Sequence, residues 1–372
     1  MLGRLVPCVV LLGGCGGDPT DRAAVVRQYA INLHQNCVDT VVKLEALQAA
    51  VDAFAASPSP GGLVAAQQAW LDVRPYYGEA EISRFYSGPL DEAQGRMNEW
   101  PIDENFIDYT VDNPNAGIIN DLASYPQINE QLLASITENG GIENLSTGFH
   151  AIEFLLWGQR LDQTQGPGER PYTDYVDGGT AKNQDRRRKY LTTATSLLLS
   201  DMRGVTAQWD LDDPTSYGAM FVKNPQEGLE DMVRGYSQMA ISEVRYERLG
   251  DPYVTKDRKD EESCFSESTI VDLIANARGV ENVYLGRYHD LSGPSLSDLV
   301  KAKNPSLDAD MRGQLANIRA TIEAIPPPFD HAVLAPPDSD ANLKVQAALT
   351  AFDRFIETNA AIADVLGVKA NL

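Results

Sequence analysis

From Asp21 to about Ala56 the apolar residues Val25, Tyr29, Leu33, Val41, Leu44, Leu47, Val51 and Phe54 recur in helical register, which predicts one long helix. A stripe of that length has to be buried against other helices, so a bundle is the expected architecture. Ser57-Pro58-Ser59-Pro60-Gly61-Gly62 supplies the breakers, and a second helix resumes near Leu63 and runs to about Phe85, closing an αα-hairpin. The stretch from Gly88 to Gly117, rich in Pro, Asn and Asp, reads as a structured loop of the kind that carries function. Further helices are predicted over about 125–138, 145–157, 183–208 and 216–249. Met311, Leu315, Ile318, Ile322 and Ile325 form another stripe, and 343–366 carries a last one through Leu349, Phe352, Phe355, Ile356, Ile362 and Val365. Pro326-Pro327-Pro328 and Pro336-Pro337 fence off the connection between these two. No alternating strand pattern competes, so the expected fold class is all-α.

At roughly 150 residues per domain, 372 residues suit two domains or one large one. Glu143-Asn144-Leu145-Ser146-Thr147-Gly148-Phe149-His150 is similar to Glu281-Asn282-Val283-Tyr284-Leu285-Gly286-Arg287-Tyr288, which predicts two copies of one helical unit. The corresponding division is 21–215 and 216–372, two related bundles packed together. The 53 acidic residues against 31 basic give a net charge of −22. Such a field repels nucleic acid and favours metal ions and basic peptides.

The chain begins with Arg4, an apolar run from Leu5 to Leu12, and then Leu12-Gly13-Gly14-Cys15. That run is far too short to span a bilayer, which needs about 20 apolar residues, and reads as a lipoprotein signal over 1–14 with Cys15 as the lipidated residue. An ordinary secretory signal with a chance cysteine is the plainer alternative. Lipid on Cys15 would tether a soluble body to a membrane through residues 15–20. Gly16 offers no inner-membrane retention signal of the Asp type, so the periplasmic face of an outer membrane is expected. Cys8 leaves with the signal, so Cys37 and Cys264 remain as a candidate disulfide in a compartment that permits one.

Chemistry concentrates at Gly148-Phe149-His150-Ala151-Ile152-Glu153, inside an apolar helix that continues Phe154-Leu155-Leu156-Trp157 before Gly158. His150 and Glu153 stand three apart and so share a helix face, as two ligands for one metal do in bundle proteins. A His–Glu pair satisfied within a core is the bland reading of the same spacing. His34, His289 and His331 stand alone, and the usual hydrolase, nucleotide and redox signatures are missing. Further oxygen ligands would come from carboxylates such as Glu81, Asp103, Asp174 or Glu243. One imidazole with several carboxylates suits iron, manganese or zinc better than copper(I).

The run Asn144 to Gln159 resembles the G-x-H-x-x-E signature of the imelysin family, bacterial lipoproteins also called insulin-cleaving membrane proteases, and its iron-regulated protein A branch. Ala69-Trp70-Leu71-Asp72-Val73-Arg74, Glu81 to Phe85, Asn98-Glu99-Trp100-Pro101-Ile102-Asp103-Glu104 with Ile107-Asp108-Tyr109, Gly168 to Tyr175, and Ser263-Cys264-Phe265-Ser266 agree as well. The resemblance implies two helical bundles, a cell-envelope location and a link to iron acquisition, with iron-transport components as partners. It also implies that Gly148, His150 and Glu153 are the motif residues, with His150 and Glu153 holding metal near the domain interface. The chain departs from the family pattern at Glu262 and Ile270, where the family carries histidines, so any metal or haem service of those histidines is lost here or moved to oxygen ligands. Three functions follow as expectations: a lipid-anchored binding protein for iron at His150 and Glu153, a zinc metallopeptidase using the same residues, or a metal-free scaffold. A catalytic zinc site needs three protein ligands and an open position, and the sequence offers two, so the binding protein is preferred.

Overall fold

The computed structural model describes residues 21–161 and 166–369, and the expected signal, Cys15 and the expected tether lie outside them. The long opening stripe is one helix, α1 (Arg22–Ala56), capped where the Asp21 carboxylate accepts the Ala23 amide. Ser59 caps α2 (Pro60–Ala80), with Pro60 in the first turn where no amide is needed. A 3₁₀ turn at Glu81–Arg84 then leads into the Gly88–Gly117 region, which holds two short helices, α3 (Pro89–Met97) and α4 (Glu104–Ile107). Next come α5 (Glu130–Ile136), α6 (Gly148–Trp157) and α7 (Gln184–Gln208).

The predicted helix over 216–249 is divided. Asn224-Pro225 separates α8 (Tyr217–Phe221) from α9 (Pro225–Gln238), and α9 continues as a π-helical stretch, Met239–Arg248. In that wider turn residues five apart become neighbours, so Arg248 donates to Glu243 at 3.2 Å. The chain goes on through α10 (Gly250–Thr255), α11 (Thr269–Leu285), α12 (Leu296–Lys303), α13 (Pro305–Glu323), α14 (Phe329–Leu334), α15 (Asp340–Ala351) and α16 (Asp353–Leu366). Between α11 and α12 two residue pairs form a minimal hairpin, β1 (Arg287–Tyr288) against β2 (Leu291–Ser292), too short to show as alternation in the sequence. Among the described residues the fold is otherwise helical, as expected, and none of their helices is long and apolar enough to cross a membrane.

Helices α1, α2, α6 and α7 pack on one another, and α11 gathers α12 and α13, with α15 and α16 behind α13. The seam between the two groups is α2 against α11, made close by glycine. A Cβ at Gly279 would lie 2.7 Å from the Glu79 carbonyl oxygen, and one at Gly78 would lie 2.9 Å from the Ala275 Cβ. The apolar core is continuous across the seam, from Val25 to Val368. The internal similarity does not mark equivalent structure: 281–285 is the last turn of α11, whereas 143–147 is the irregular approach to α6. The candidate disulfide is not formed either. Cys37 is buried in α1, Cys264 lies in the segment before α11, and both thiols are free.

Charge ties the seam as firmly as packing does. Arg74 of α2 meets Glu262 at 2.9 Å and Asp272 of α11 at 2.8 Å, and Arg248 meets Glu81 at 2.8 Å and Glu262 at 3.1 Å. Arg84 joins Glu81 and Glu243, so three guanidinium groups face four carboxylates. Burial alone would raise the Glu81 carboxyl, but Arg248, then Arg84 and Arg74, outweigh it and hold the group down at about 2. Asp272 is the carboxylate in excess: burial pushes it up to about 6 in spite of Arg74, with Glu262 adding repulsion.

A depressed carboxyl stabilises the fold above its unfolded value of about 4.3 and loses that contribution as pH falls towards the folded value. Glu81→Gln leaves Arg248 with a buried deficit of charge and is expected to cost about 3–5 kcal/mol at pH 7. The wild-type advantage should shrink as pH falls from 4 towards 2. Denaturant titrations of both proteins at pH 7 and pH 3 check this, and an equal difference at the two pH values would contradict it.

Candidate metal centre

Helix α6 is apolar on every side, and all ten of its residues are buried, which places it inside the molecule as a central rod. It can start where it does because Gly148 adopts φ +89° with its Cα against the end of α3. A Cβ there would sit 2.7 Å from the Met97 carbonyl oxygen. Trp70 of α2 donates its indole N–H to the Phe149 carbonyl at 3.0 Å, and Tyr175 donates to the Leu155 carbonyl at 2.6 Å. The rod is thus fixed in rotation and height before its two polar residues are considered.

Those residues are His150, 2% exposed, and Glu153, wholly buried. His150 Nδ1 lies 3.0 Å from Glu153 Oε2. The other oxygen, Oε1, accepts the Ser266 amide at 2.8 Å and the Ser266 hydroxyl at 2.7 Å. Both oxygens of Glu153 are therefore engaged by protein. An ionised carboxylate only accepts, so Nδ1 carries a proton, and a neutral ring then presents its lone pair at Nε2. Nε2 is buried and has no hydrogen-bond partner. An orphaned buried ring nitrogen is costly and needs an explanation. Its surroundings offer one: His150 lines a cavity of about 30 Å³ with Trp100, Glu104, Lys259, Glu261, Glu262 and Cys264 among its walls.

The walls differ in readiness. Glu262 faces Arg74 and Arg248, so it is a structural charge and no free oxygen ligand, and Ile270 is buried in the core. Glu104 is raised by burial while accepting from Gln159. Burial, with Asp330 adding repulsion, pushes Glu261 up to about 8. Burial also pushes the Cys264 thiol up, with the charges of Glu153 and Glu261 in the same direction. A ligand set built here would combine one imidazole nitrogen with carboxylate oxygens and a thiol.

The four carboxylates expected to supply oxygen ligands lie elsewhere, and none lines this cavity. Glu81 and Glu243 belong to the arginine network. Asp103 caps α4 by accepting the Asn105 amide, and Asp174 accepts from Tyr109 at 2.5 Å and Thr180 at 2.7 Å beside Arg170. Glu261, Cys264 and Ser266 are not expected at the site from sequence, although Cys264 is a candidate disulfide residue and Ser263 to Ser266 is one of the blocks that carry the resemblance. The first sits in Lys256-Asp257-Arg258-Lys259-Asp260-Glu261-Glu262, a charge run that reads as solvated surface although its last two residues are buried. Among the described residues, the group of three ligand atoms within 4.8 Å of one another is Glu267, Asp330 and His331, and His150 is not part of it.

The tautomer is testable. In Glu153→Gln the amide oxygen replaces Oε1 towards Ser266, and the amide N–H then donates to Nδ1, which moves the ring proton to Nε2. Nitrogen-15 shifts of the His150 ring should report Nδ1–H in the wild type and Nε2–H in the variant; the same tautomer in both would contradict the assignment.

A family model described as Imelysin matches residues 33–356. The iron-regulated protein A of Synechococcus elongatus is 24% identical over 369 residues, covering 92% of this chain and 90% of that protein. The crystal structure of a candidate iron-regulated protein A precursor from Parabacteroides distasonis superposes with a TM-score of 0.73 at 22% identity, over 95% of this chain and 97% of that one. An imelysin-like protein from Psychrobacter arcticum gives 0.62 at 13% identity, over 94% and 98%.

Proposed function

The chain belongs to the imelysin family, and from that premise we propose that it is a lipid-anchored, periplasm-facing protein that captures a transition-metal ion, iron before zinc or manganese, for iron uptake. The observation that carries the proposal is the orphaned Nε2 of His150, a buried nitrogen facing a cavity whose walls hold Glu104, Glu261 and Glu262 beside Lys259. His150 is the metal ligand in this reading and Glu153 its positioning residue, since a carboxylate on the far ring nitrogen fixes the tautomer and raises the basicity of the ligating one. Glu261, Glu104 and Cys264 are the side chains within the same walls that can complete the shell, together with water. A cavity with about 30 Å³ of free space has room for an ion with one or two waters. The net charge of −22 draws cations towards such a site, and a curated relative of similar length is named as iron-regulated. Lipid on Cys15, attachment to an outer membrane and delivery to iron-transport components complete the proposal.

Calorimetric titration of the protein with ferrous, ferric, zinc and manganese ions, beside His150→Ala, tests it. A saturable equivalent lost in the variant while its thermal stability stays close to wild type supports the reading, and tightest binding of iron supports the iron assignment. Glu153→Gln should weaken the same equivalent by about 10–100-fold. Identical isotherms for wild type and His150→Ala would overturn the proposal, and zinc-dependent peptide cleavage abolished by His150→Ala would replace capture with catalysis.

A further inference from the structure

Arg160 follows α6 by three residues and leaves the core for a second acidic group. It is ion-paired with Glu267, and its Nη1 lies 2.9 Å from Asp330 Oδ2 at the start of α14. His331 is next in sequence and partly exposed, and one ligand atom each from Glu267, Asp330 and His331 lies within 4.8 Å of the other two. Around a transition-metal ion bound at roughly 2.0–2.2 Å, ligand atoms stand roughly 3 to 4 Å apart, so small side-chain movements would close this group on an ion. A surface cluster of this kind can be a mere ion-paired tie, and Arg160 supplies that tie. Two further features go beyond it. The first is the imidazole of His331 itself, a ligand-type nitrogen within 4.8 Å of both carboxylates. Behind the cluster stands Glu261, 2% exposed, whose Oε1 accepts the Thr269 hydroxyl at 2.8 Å while Oε2 has no hydrogen-bond partner. A buried carboxyl oxygen without a partner is expensive, and a cation that displaces the proton of Glu261 would satisfy it.

Glu261 also stands in two places at once. It lines the His150 cavity, and with Asp330, Lys256 and Arg258 it lines a neighbouring cavity of about 10 Å³ between α14 and the segment after α10. Among the described residues, the one common to the walls of both cavities is therefore a carboxylate, with buried His150 on one side and Asp330, next in sequence to His331, on the other.

We propose that Glu267, Asp330 and His331, backed by Glu261, form a second site for a divalent first-row transition ion, from which the ion passes across Glu261 to the His150 cavity. In the metal-free protein the Arg160 guanidinium takes the position of the cation and keeps Glu267 and Asp330 from repelling each other; loading turns it out. The outer site stands independently of the His150 reading, whereas the transfer rests on it. One imidazole with carboxylates suits ferrous, manganous and zinc ions alike.

Zinc ion is the practical probe. Calorimetric titration of the full chain should show two equivalents in the wild type and one in each of His331→Ala and Glu267→Gln, neither of which removes a buried side chain. His150→Ala should also keep one, and the His150→Ala/His331→Ala double variant none. Wild-type isotherms in both outer variants overturn the second site. If His150→Ala binds as wild type while the outer variants lose an equivalent, the capture reading fails and this site survives. For the transfer, rapid mixing followed by Trp100 fluorescence should show the inner site filling severalfold more slowly in His331→Ala with its final affinity unchanged; an unchanged rate overturns the passage.

Discussion

Arg74 and Arg248 are wholly buried, and a buried guanidinium persists only where carboxylates meet it in good geometry. Their partners come from three separate parts of the chain: Glu81 after α2, Glu262 in the segment before α11, and Asp272 within α11. Because Glu262 is shared by both arginines, the segment that carries it has one permitted position. Ser263 extends the same anchoring by donating to Asp272. Three residues on, Ser266 delivers its amide and hydroxyl to Glu153. The arginine network thus sets where Ser266 stands, Ser266 sets Glu153, and Glu153 sets the tautomer of His150. A change in the network reaches the candidate site through this short chain of hydrogen bonds.

That dependence changes the meaning of the G-x-H-x-x-E motif in this protein. Its glycine admits the close approach of α3, its histidine offers one nitrogen to a cavity, and its glutamate is spent on orientation. A helix carrying both polar residues on one face would present two ligands if the face were open. Here Ser266 fills Oε1 and His150 takes one position on Oε2, so the imidazole offers the nitrogen with no partner while the carboxylate is held in place from both sides.

The long elements were legible in the sequence because a bundle helix needs a continuous apolar stripe, and α1, α2, α7 and α13 follow theirs closely. Shorter elements drifted: Asn129 caps α5 four residues later than the expected start, and the last stripe divides at Phe352 into α15 and α16 without losing its apolar register. The similarity between 143–150 and 281–288 misled because the same residue types can lead into a helix or finish one. For the site, His150 and Glu153 were visible as polar residues in an apolar run. The surrounding carboxylates were not, since the pairing of Glu81 and Glu243 with arginines far along the chain leaves no local trace. Glu261 was hidden by the charged run in which it stands, where five residues that avoid full burial precede two that are buried.

The central claim is that His150 Nε2 is the nitrogen that meets the metal while Glu153 stays outside the coordination shell. Anomalous diffraction from crystals of the metal-loaded protein addresses it without recourse to mutants. The account predicts a peak at roughly 2.0–2.2 Å from His150 Nε2, with Glu153 still bound to His150 Nδ1 and Ser266. A metal ligated by a Glu153 oxygen, or a loaded protein with no peak beside His150, would contradict it.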